Sequence, residues 1–368
     1  MKIALITVHK VTNYGAILQA YATKSVLSRY GKTQTLDYQN RYLTSHLRLI
    51  RFEFSIRGFK MMAHDLLNFP NRYRLTSKFK KFVKEQLNLS PKLTSSDLMS
   101  GKAGKFDVYI SGSDQIWNPK IINAFNTIDP IYFLAFAGEG TKKVSYASSM
   151  GNYVFSELEK QDIRKLLKDF YKISIREKEG KELLQKMFPK KRIHQVLDPT
   201  LLLSKSDWLS AFKLSVKPPT EDYILVYSVP RTKLLRQAIA YFSNHLQLPV
   251  VAIDKMLIPM KSVNRQVRTA GPEEFISLYA HAKFVITDSF HGTCFAVNFE
   301  IPFVCIPATK KANRQQGLLS SLGLLERIIF DEADFAGITS DLDFRESNIK
   351  LKTLRKDSFE FLDESLQL

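Results

Sequence analysis

The sequence predicts an α/β fold made of two doubly wound domains, which we expect to face one another across a cleft. Its 368 residues exceed the length of one ordinary domain. Short apolar runs alternate with segments of helical periodicity, as in mostly parallel sheets. A stretch rich in Ser, Lys and Pro at 204–222 separates two such sets and predicts a linker. We expect an N-terminal domain at 1–203, a C-terminal domain at 223–344 and a terminal helix at 345–368 that packs back on the N-terminal domain.

The first domain begins with a buried strand and a polar loop, followed by a helix for which Gly31 is a suitable C-cap. An apolar, aromatic and basic segment at 41–92 then interrupts the β/α pattern, which resumes at Phe106. The predicted strands are Lys2–Val8, Thr33–Tyr38, Phe106–Ile110, Lys143–Ser148, Lys172–Ile175 and Gln195–Leu197. The predicted helices run from Tyr14 to about Tyr30, from Glu157 to Phe170 and from Glu177 to Met187.

The second domain repeats the alternation with less interruption. Its predicted strands are Tyr223–Val229, Val250–Ile253, Phe284–Thr287 and Phe303–Ile306. Its predicted helices are Lys233–Leu246, Pro272–Ala280, Thr293–Phe299 and Gln315–Leu322, and the terminal helix covers Glu346–Leu366.

Composition and charge narrow the class of protein. With 45% hydrophobic and 24% charged residues the chain has a normal soluble composition, and no apolar run approaches the ~18 residues of a membrane span. The two cysteines, Cys294 and Cys305, give neither a disulfide framework nor zinc-ligand spacing, so we expect a reducing cytoplasm and no metal.

The net charge of +18 predicts an anionic partner. Half of it lies in residues 41–92, where twelve Lys or Arg stand against three acids, a net charge of +9. This segment is a candidate for peripheral contact with the inner face of a membrane; a solvated cationic surface is the alternative. No nucleic-acid module signature is present, and we expect no nucleic acid partner.

The segment Phe284–Gly292, F-V-I-T-D-S-F-H-G, is the strongest site candidate. A buried strand ends at Asp288 and Ser289, and His291 and Gly292 open a helix. Such a turn presents backbone amides and the positive end of the helix dipole to an anion. A histidine there can hold an anionic ligand and transfer a proton near neutral pH.

Several cations follow other predicted strands. Arg176 ends a strand and can hold a carboxylate or phosphate bidentately, or else pair with neighbouring Glu177. Lys310, Lys311 and Arg314 follow Phe303–Ile306 and suit a phosphate, with a solvated loop as the alternative.

The polar loop at 112–118 suits sugar hydroxyls. Ser113, Asp114 and Gln115 supply a hydroxyl, a carboxylate and an amide, and Trp117 is either a stacking platform for a sugar or a core residue. Asn13 and Tyr14 form a polar first loop, but G-x-G-x-x-G is absent, which argues against a dinucleotide. H-E-x-x-H and G-x-S-x-G are also absent.

These motifs together resemble the polysaccharide pyruvyl transferase family. The matching segments, in order, are N-Y-G-A-I-L-Q-A-Y-A (13–22), D-V-Y-I-S-G-S-D-Q-I-W-N (107–118), S-Y-A-S-S-M-G (145–151), I-S-I-R-E-K-E-G (173–180), L-D-P-T-L-L (197–202), D-S-F-H-G-T (288–293) and P-F-V (302–304). The resemblance implies two Rossmann-like domains similar to the glycosyltransferase GT-B fold. It also implies transfer of pyruvate from phosphoenolpyruvate to a sugar of a cell-surface polysaccharide, such as a capsule or exopolysaccharide, or its lipid-linked precursor, as a cyclic ketal.

Family roles then fall on particular residues. The resemblance implies that His291 and Arg176 serve donor binding or catalysis, and that Lys310 or Lys311 contacts the donor. We expect Asp288 or His291 to act as the acid, Ser289, Gly292 and Arg314 to assist donor binding, and the loops at Asn13 and Ser113 to bind the acceptor. Phosphoenolpyruvate is then a co-substrate, and no further cofactor is expected.

Two other functions stay open at this point. A glycosyltransferase that uses a nucleotide-sugar could have the same architecture, with Asp331 or Glu332 as an ambiguous ribose-binding carboxylate. A non-catalytic glycan-binding protein is the second alternative.

Overall fold

The structure, a computed structural model, describes residues 1–45, 47–51, 54–212, 221–228 and 230–367. The chain forms two compact units. The first unit comprises Met1–Leu47, Val83–Leu202 and Leu351–Leu368; the second unit comprises Arg48–Phe82 and Leu203–Lys350. Residues 48–82 of the basic segment therefore group with the second unit, whereas the sequence led us to expect them in the N-terminal domain.

The first unit contains a parallel sheet of seven strands among the described residues, in the order β3-β2-β1-β4-β5-β6-β7. The strands are β1 Lys2–Ile6, β2 Lys32–Tyr38, β3 Leu89–Leu93, β4 Val108–Ser111, β5 Lys142–Ser148, β6 Lys172–Ile175 and β7 Ile193–Gln195. The order reverses between β1 and β4, which is the position where doubly wound sheets open a ligand crevice.

The second unit contains a parallel sheet of five strands within the described part of the chain, in the order β10-β9-β8-β11-β12. They are β8 Ile224–Tyr227, β9 Val250–Ile253, β10 Arg265–Val267, β11 Phe284–Thr287 and β12 Phe303–Cys305. All residues of β8, β9 and β11 are buried because helices cover both faces of a parallel sheet.

Helices connect most of these strands in the described part of the chain, and two more helices follow the last strand. They are α1 Tyr14–Leu27, α2 Arg41–Ser45, α3 Ile56–Leu67, α4 Phe69–Gln86, α5 Ser95–Met99, α6 Pro119–Ile122, α7 Glu157–Leu167, α8 Lys178–Met187, α9 Lys205–Ala211, α10 Lys233–Leu246, α11 Pro272–Ala280, α12 Phe290–Asn298, α13 Asn313–Leu322 and α14 Arg345–Leu366. The expected two-domain α/β class similar to the GT-B fold is confirmed. No helix among the described residues is both long and apolar enough to cross a bilayer.

Several element boundaries differ from expectation. Helix α1 ends at Leu27 with Ser28 as its C-cap, so Gly31 is not the cap; a Cβ there would lie 2.4 Å from the Met1 carbonyl oxygen. Strand β7 lies two residues earlier than predicted. Helix α12 begins at Phe290, three residues early, because Ser289 caps it. Helix α9 occupies the start of the expected linker, whose residues 213–220 lie outside the described part, as does Val229.

Candidate active site

In the first unit, Arg176 is the centre of a buried polar cluster at the carboxyl ends of the strands. It follows β6 directly, and its side chain is 4% exposed. Its Nη1 donates to Oδ2 of Asp198 at 2.5 Å, and its Nε lies 3.6 Å from Oε1 of Glu177. Ser149, after β5, donates to the same Glu177 oxygen. The ends of β5, β6 and β7 thus meet in one network.

The carboxylates of this cluster stabilise the charged form of the Arg176 guanidinium. Burial lowers the pKa of the Arg176 guanidinium, but the charges of Asp198, Glu177 and Asp114 outweigh burial and raise it overall. Asp198 also accepts hydrogen bonds from the backbone and hydroxyl of Thr200. The guanidinium therefore contacts carboxylates of its own unit, which is the salt-bridge alternative weighed from the sequence, with Asp198 as an additional partner.

The loop after β4 presents its polar residues unequally. Ser113 is fully buried and donates to Oδ2 of Asp198 at 3.4 Å. Asp114 has a positive φ of 74° and, like Gln115, is partly exposed. Gln115 accepts a hydrogen bond from Asn118 at 2.8 Å. Only Asp114 and Gln115 of this loop are thus placed to meet a ligand directly.

Trp117 does not provide a platform for a sugar. Its side chain is fully buried, its ring stacks on Phe133 with centroids 5.0 Å apart, and its edge meets Phe170. The indole nitrogen donates to the carbonyl of Tyr132. Trp117 is a core residue, and the expectation of a stacking role is corrected.

At the end of β1 the structure adds residues that the sequence did not single out. Lys10 Nζ lies 2.5 Å from Oδ1 of Asp37, and His9 Nε2 lies 3.1 Å from the same oxygen. Two predicted candidates lie nearby. Asn13 is exposed and caps α1 by accepting a hydrogen bond from the amide of Ala16, and Tyr14 is buried, at 2% exposure. The polar loop after the first strand was the only signal for Lys10.

In the second unit, His291 occupies the first turn of α12, directly after β11. It is 7% exposed, and its ring packs edge-on against Phe290 with centroids 5.3 Å apart. Ser289 caps the helix by accepting from the amide of Gly292 at 3.3 Å, as expected for a strand-to-helix turn. Cys294 on the same helix is buried.

A tight set of contacts fixes this turn. Thr287 donates to the carbonyl of Tyr227, at the end of β8, and accepts from the amide of Ser289. A Cβ at Gly292 would lie 2.3 Å from Thr287 Oγ1, so only glycine fits there. Gln315 of α13 donates to the carbonyl of Asp288 at 3.0 Å.

The turn also contains a buried carboxylate, that of Asp288. Asp288 is 8% exposed, and Tyr227 is buried beside it. Burial and the Asp288 charge raise the pKa of the Tyr227 phenol, so this group stays protonated near neutral pH. Tyr227 and Gln315 were not predicted as site residues, because Tyr227 lies within a predicted strand and Gln315 within a predicted helix.

The predicted cations of the second unit lie at the start of α13. Lys310 and Lys311 are exposed in the loop after β12. Arg314 is partly exposed, and its guanidinium lies over the Phe290 ring, 5.6 Å from the centroid. Its contact with Phe290 connects Arg314 to the His291 turn.

A separate cavity of about 730 Å³ opens in the first unit at the carboxyl ends of β2 and β3. Its walls offer hydroxyl, amide and carboxylate groups together with the three aromatic rings of Tyr38, Tyr42 and Phe125. They include Gln39, Asn40, Arg41, Tyr42, Ser95, Ser96, Asn123, Phe125 and Asp129. Phe125 is 86% exposed, and Asn123 holds its loop by accepting from the Phe125 amide at 2.9 Å. Tyr38 donates to Asp129 at 2.9 Å and so orders the inner wall.

Solved structures similar to this chain share the architecture at low sequence identity. A putative UDP-N-acetylglucosamine 2-epimerase from Listeria monocytogenes aligns over 98% of this chain and 94% of its own, with 9% identity and a TM-score of 0.54. UDP-GlcNAc 2-epimerase from Methanocaldococcus jannaschii aligns over 97% and 100%, with 12% identity and a TM-score of 0.52. These likenesses show the fold alone.

The sequence comparisons are more specific. No curated protein sequence matches the chain significantly. The family model described as Polysaccharide pyruvyl transferase matches residues 13–308, which include helix α1, the Arg176 cluster and the His291 turn. Because this match covers most of the chain, the protein belongs to the polysaccharide pyruvyl transferase family, which is a family of enzymes.

Proposed function

We propose that the protein transfers pyruvate from phosphoenolpyruvate to a sugar of a cell-surface polysaccharide, or of its lipid-linked precursor, as a cyclic ketal. The observation that carries this proposal is the His291 turn. It places an imidazole at the first turn of a helix, beside Asp288, with Arg314 connected to it through Phe290. Proton transfer and anion binding are the two tasks that phosphoenolpyruvate chemistry requires.

The reaction balances without a redox partner. The enol methylene carbon takes a proton and becomes a methyl group, while the central carbon becomes an electrophile. One sugar hydroxyl bonds to that carbon, the carbon–oxygen bond to phosphate breaks, and a second hydroxyl closes the ketal. Of the two hydroxyl protons released, one replaces the proton consumed at the methyl group and the other leaves with inorganic phosphate.

The second unit supplies the acid and the anion contacts in this scheme. We assign protonation to His291, with Asp288 as the alternative acid, and phosphate or carboxylate binding to Arg314, Lys310 and Lys311. The Ser289 cap and Gly292 keep the backbone of the turn in place, because a larger residue at 292 would collide with Thr287.

Arg176 stays in the proposal as a donor-binding residue on the strength of the family resemblance. Its guanidinium already has Asp198 and Glu177 as partners. To bind the donor as well, the Arg176 guanidinium must contact a donor anion and a carboxylate of its own unit at the same time. Loss of Arg176 is therefore expected to affect folding and turnover together.

We assign the sugar acceptor to the cavity at the ends of β2 and β3. Phe125 and Tyr42 offer the aromatic faces that Trp117 does not, and the surrounding hydroxyl and amide groups can pair with sugar hydroxyls. Asp114, Gln115 and Asn13 remain candidates for further acceptor contacts. We place the reaction in the cytoplasm, where phosphoenolpyruvate is the co-substrate and no other cofactor is required.

The test is mass spectrometry of candidate oligosaccharides incubated with the full chain and phosphoenolpyruvate, with phosphate release measured in parallel. We expect the mass of a carboxyethylidene group to be added and phosphate to be released in equal amount. His291→Asn should abolish both, whereas the matched variant His245→Ala, which removes an exposed histidine on α10 of the same unit, should keep them. Normal turnover in folded His291→Asn would refute the proposed acid.

Thermal-shift titration separates the alternatives. Stabilisation by phosphoenolpyruvate, and none by nucleotide-sugars, is the expected result. Stabilisation by a nucleotide-sugar with product formed from it would replace the proposal with glycosyl transfer. Oligosaccharide binding without product from either donor would indicate a glycan-binding protein.

A further inference from the structure

Exposed apolar side chains are concentrated on helix α3 and the start of α4. Of the seventeen large apolar residues that are more than a third exposed among the described residues, seven lie between 50 and 73. They are Ile50, Phe54, Phe59, Leu66, Leu67, Phe69 and Tyr73. We call these side chains the α3–α4 surface. Exposed large apolar side chains concentrated in one segment are typical of an interaction site.

Helix α3 has its apolar side facing outward. Phe59, Leu66 and Leu67, which are 54%, 52% and 75% exposed, occupy positions i, i+7 and i+8 and therefore share one face. Asp65, on the opposite side, is fully buried. An ordinary surface helix would place the leucines inward and the aspartate outward.

Ion pairs hold the helix in this orientation. Asp65 accepts from the guanidinium of Arg51 at 2.8 and 2.7 Å, and Nη1 of Arg72 lies 3.4 Å from the same carboxylate. Arg72 also donates to the carbonyls of Arg48 and Leu49, which ties α4 to the segment before α3. The outward orientation of the apolar face is thus fixed by ion pairs between the buried Asp65 carboxylate and two partly exposed arginines.

Exposed cations border the apolar residues. Lys60 lies on α3 next to Phe59, and Arg74, Lys80 and Lys81 lie on the exposed side of α4. A surface that joins aromatic and leucine side chains to lysines and arginines matches a bilayer interface, where apolar groups enter the acyl boundary and cations meet anionic headgroups.

We propose that the α3–α4 surface docks on a membrane that contains anionic phospholipid. The charge argues for this occupant over a second copy of the chain. Residues 48–82, which contain the surface, hold nine Lys or Arg against two acids, a net charge of +7, so two such faces would repel one another. This inference goes beyond the proposed reaction, and it is tested without any activity measurement.

The experiment is co-sedimentation of the full chain with phosphatidylglycerol–phosphatidylcholine vesicles and with phosphatidylcholine vesicles. We expect binding to the anionic vesicles that weakens as salt is added. Lys80→Glu/Lys81→Glu should weaken it at least about 30-fold, because the loss of two positive charges alone accounts for that factor. Leu66→Ser/Leu67→Ser should weaken it at least about tenfold at every salt concentration, and because both leucines are exposed the variant should fold.

Matched variants elsewhere control for general surface change. Val154→Ser/Leu158→Ser removes two apolar side chains that are 89% and 70% exposed, and Lys186→Glu/Lys190→Glu reverses two exposed lysines. Both should bind vesicles like the wild type. The proposal fails if the wild type does not co-sediment with anionic vesicles, or if Leu66→Ser/Leu67→Ser binds them as tightly as the wild type. A dimer in sedimentation velocity that only this leucine variant loses, without vesicle binding, would assign the surface to a second copy.

Discussion

Replacement of Arg176 by alanine should destabilise the first unit strongly. Arg176 and its partner Asp198 have side chains that are 4% and 0% exposed, and Glu177 is 2% exposed. Truncation would leave two buried carboxylates without their cation. Breaking a buried pair in this way costs about 3–5 kcal/mol, because the remaining charge is neither solvated nor compensated.

The expected loss is large enough to see in a melting curve. For a folded unit of this size, 1 kcal/mol corresponds to about 2–4 °C in Tm, so Arg176→Ala should lower the Tm by on the order of 10 °C. Asp198→Asn removes one of the uncompensated charges and keeps the shape of the side chain. The double variant Arg176→Ala/Asp198→Asn should therefore be more stable than the sum of the two single changes predicts.

Differential scanning fluorimetry of the four proteins measures this coupling. The control is Arg345→Ala, which breaks an arginine–aspartate pair whose side chains are 90% and 58% exposed and should leave the Tm close to that of the wild type. A Tm for Arg176→Ala within about 2 °C of wild type, or additive effects in the double variant, would refute the account of a charge-balanced cluster. Turnover of Arg176 variants should be compared only below their melting range.

Three further outcomes follow from other contacts. Gly292→Ala should cost about 1–3 kcal/mol and most of the turnover, because its Cβ would meet Thr287 at 2.3 Å, whereas Gly317→Ala, with open space around it, should melt no lower than wild type. Asp65→Asn should lower stability at neutral pH; Arg51 and Arg72 hold the pKa of Asp65 at about 2, below its ordinary 3.8, against the effect of burial. The difference in denaturant midpoint between Asp65→Asn and the wild type should thus persist above pH 3.8 and vanish as the pH falls towards 2. A pH-independent difference would contradict this assignment. Phe125→Ala should raise KM for the sugar acceptor while leaving KM for phosphoenolpyruvate unchanged, and equal effects on both would exclude the cavity as the acceptor site.

The parallel strands were predictable where they are apolar and buried. Strands β6, β9 and β11 have the predicted boundaries. Strands β9 and β11 are runs of four apolar or β-branched residues, and β6 is the short alternating segment K-I-S-I. Strands β3 and β10 were missed, and both lie at the edge of a sheet. Strand β3 contains Pro91 and β10 has only three residues, so neither shows the apolar run of a central strand.

The candidate site was predictable only as far as local patterns reach. The strand-to-helix turn at His291 could be recognised because all of its parts are adjacent in sequence. The pairing of Arg176 with Asp198 joins residues 22 apart, and burial of Trp117 depends on Phe133 and Phe170 from other elements. The outward apolar face of α3 likewise depends on Asp65 being held by arginines on both sides of the helix in sequence, which periodicity alone does not show.

The first unit also includes the final part of α14. Arg355 donates to the carbonyl of Leu201 at 2.6 Å, Ser358 accepts from the amide of Leu197, and Tyr30 donates to Asp363. The contact between Tyr30 and Asp363 joins the beginning of the chain to a residue 333 positions later. During synthesis the ribosome must therefore release residues 351–366 before the sheet that begins at Lys2 is fully covered, so a nascent chain halted earlier would leave that face accessible to chaperones.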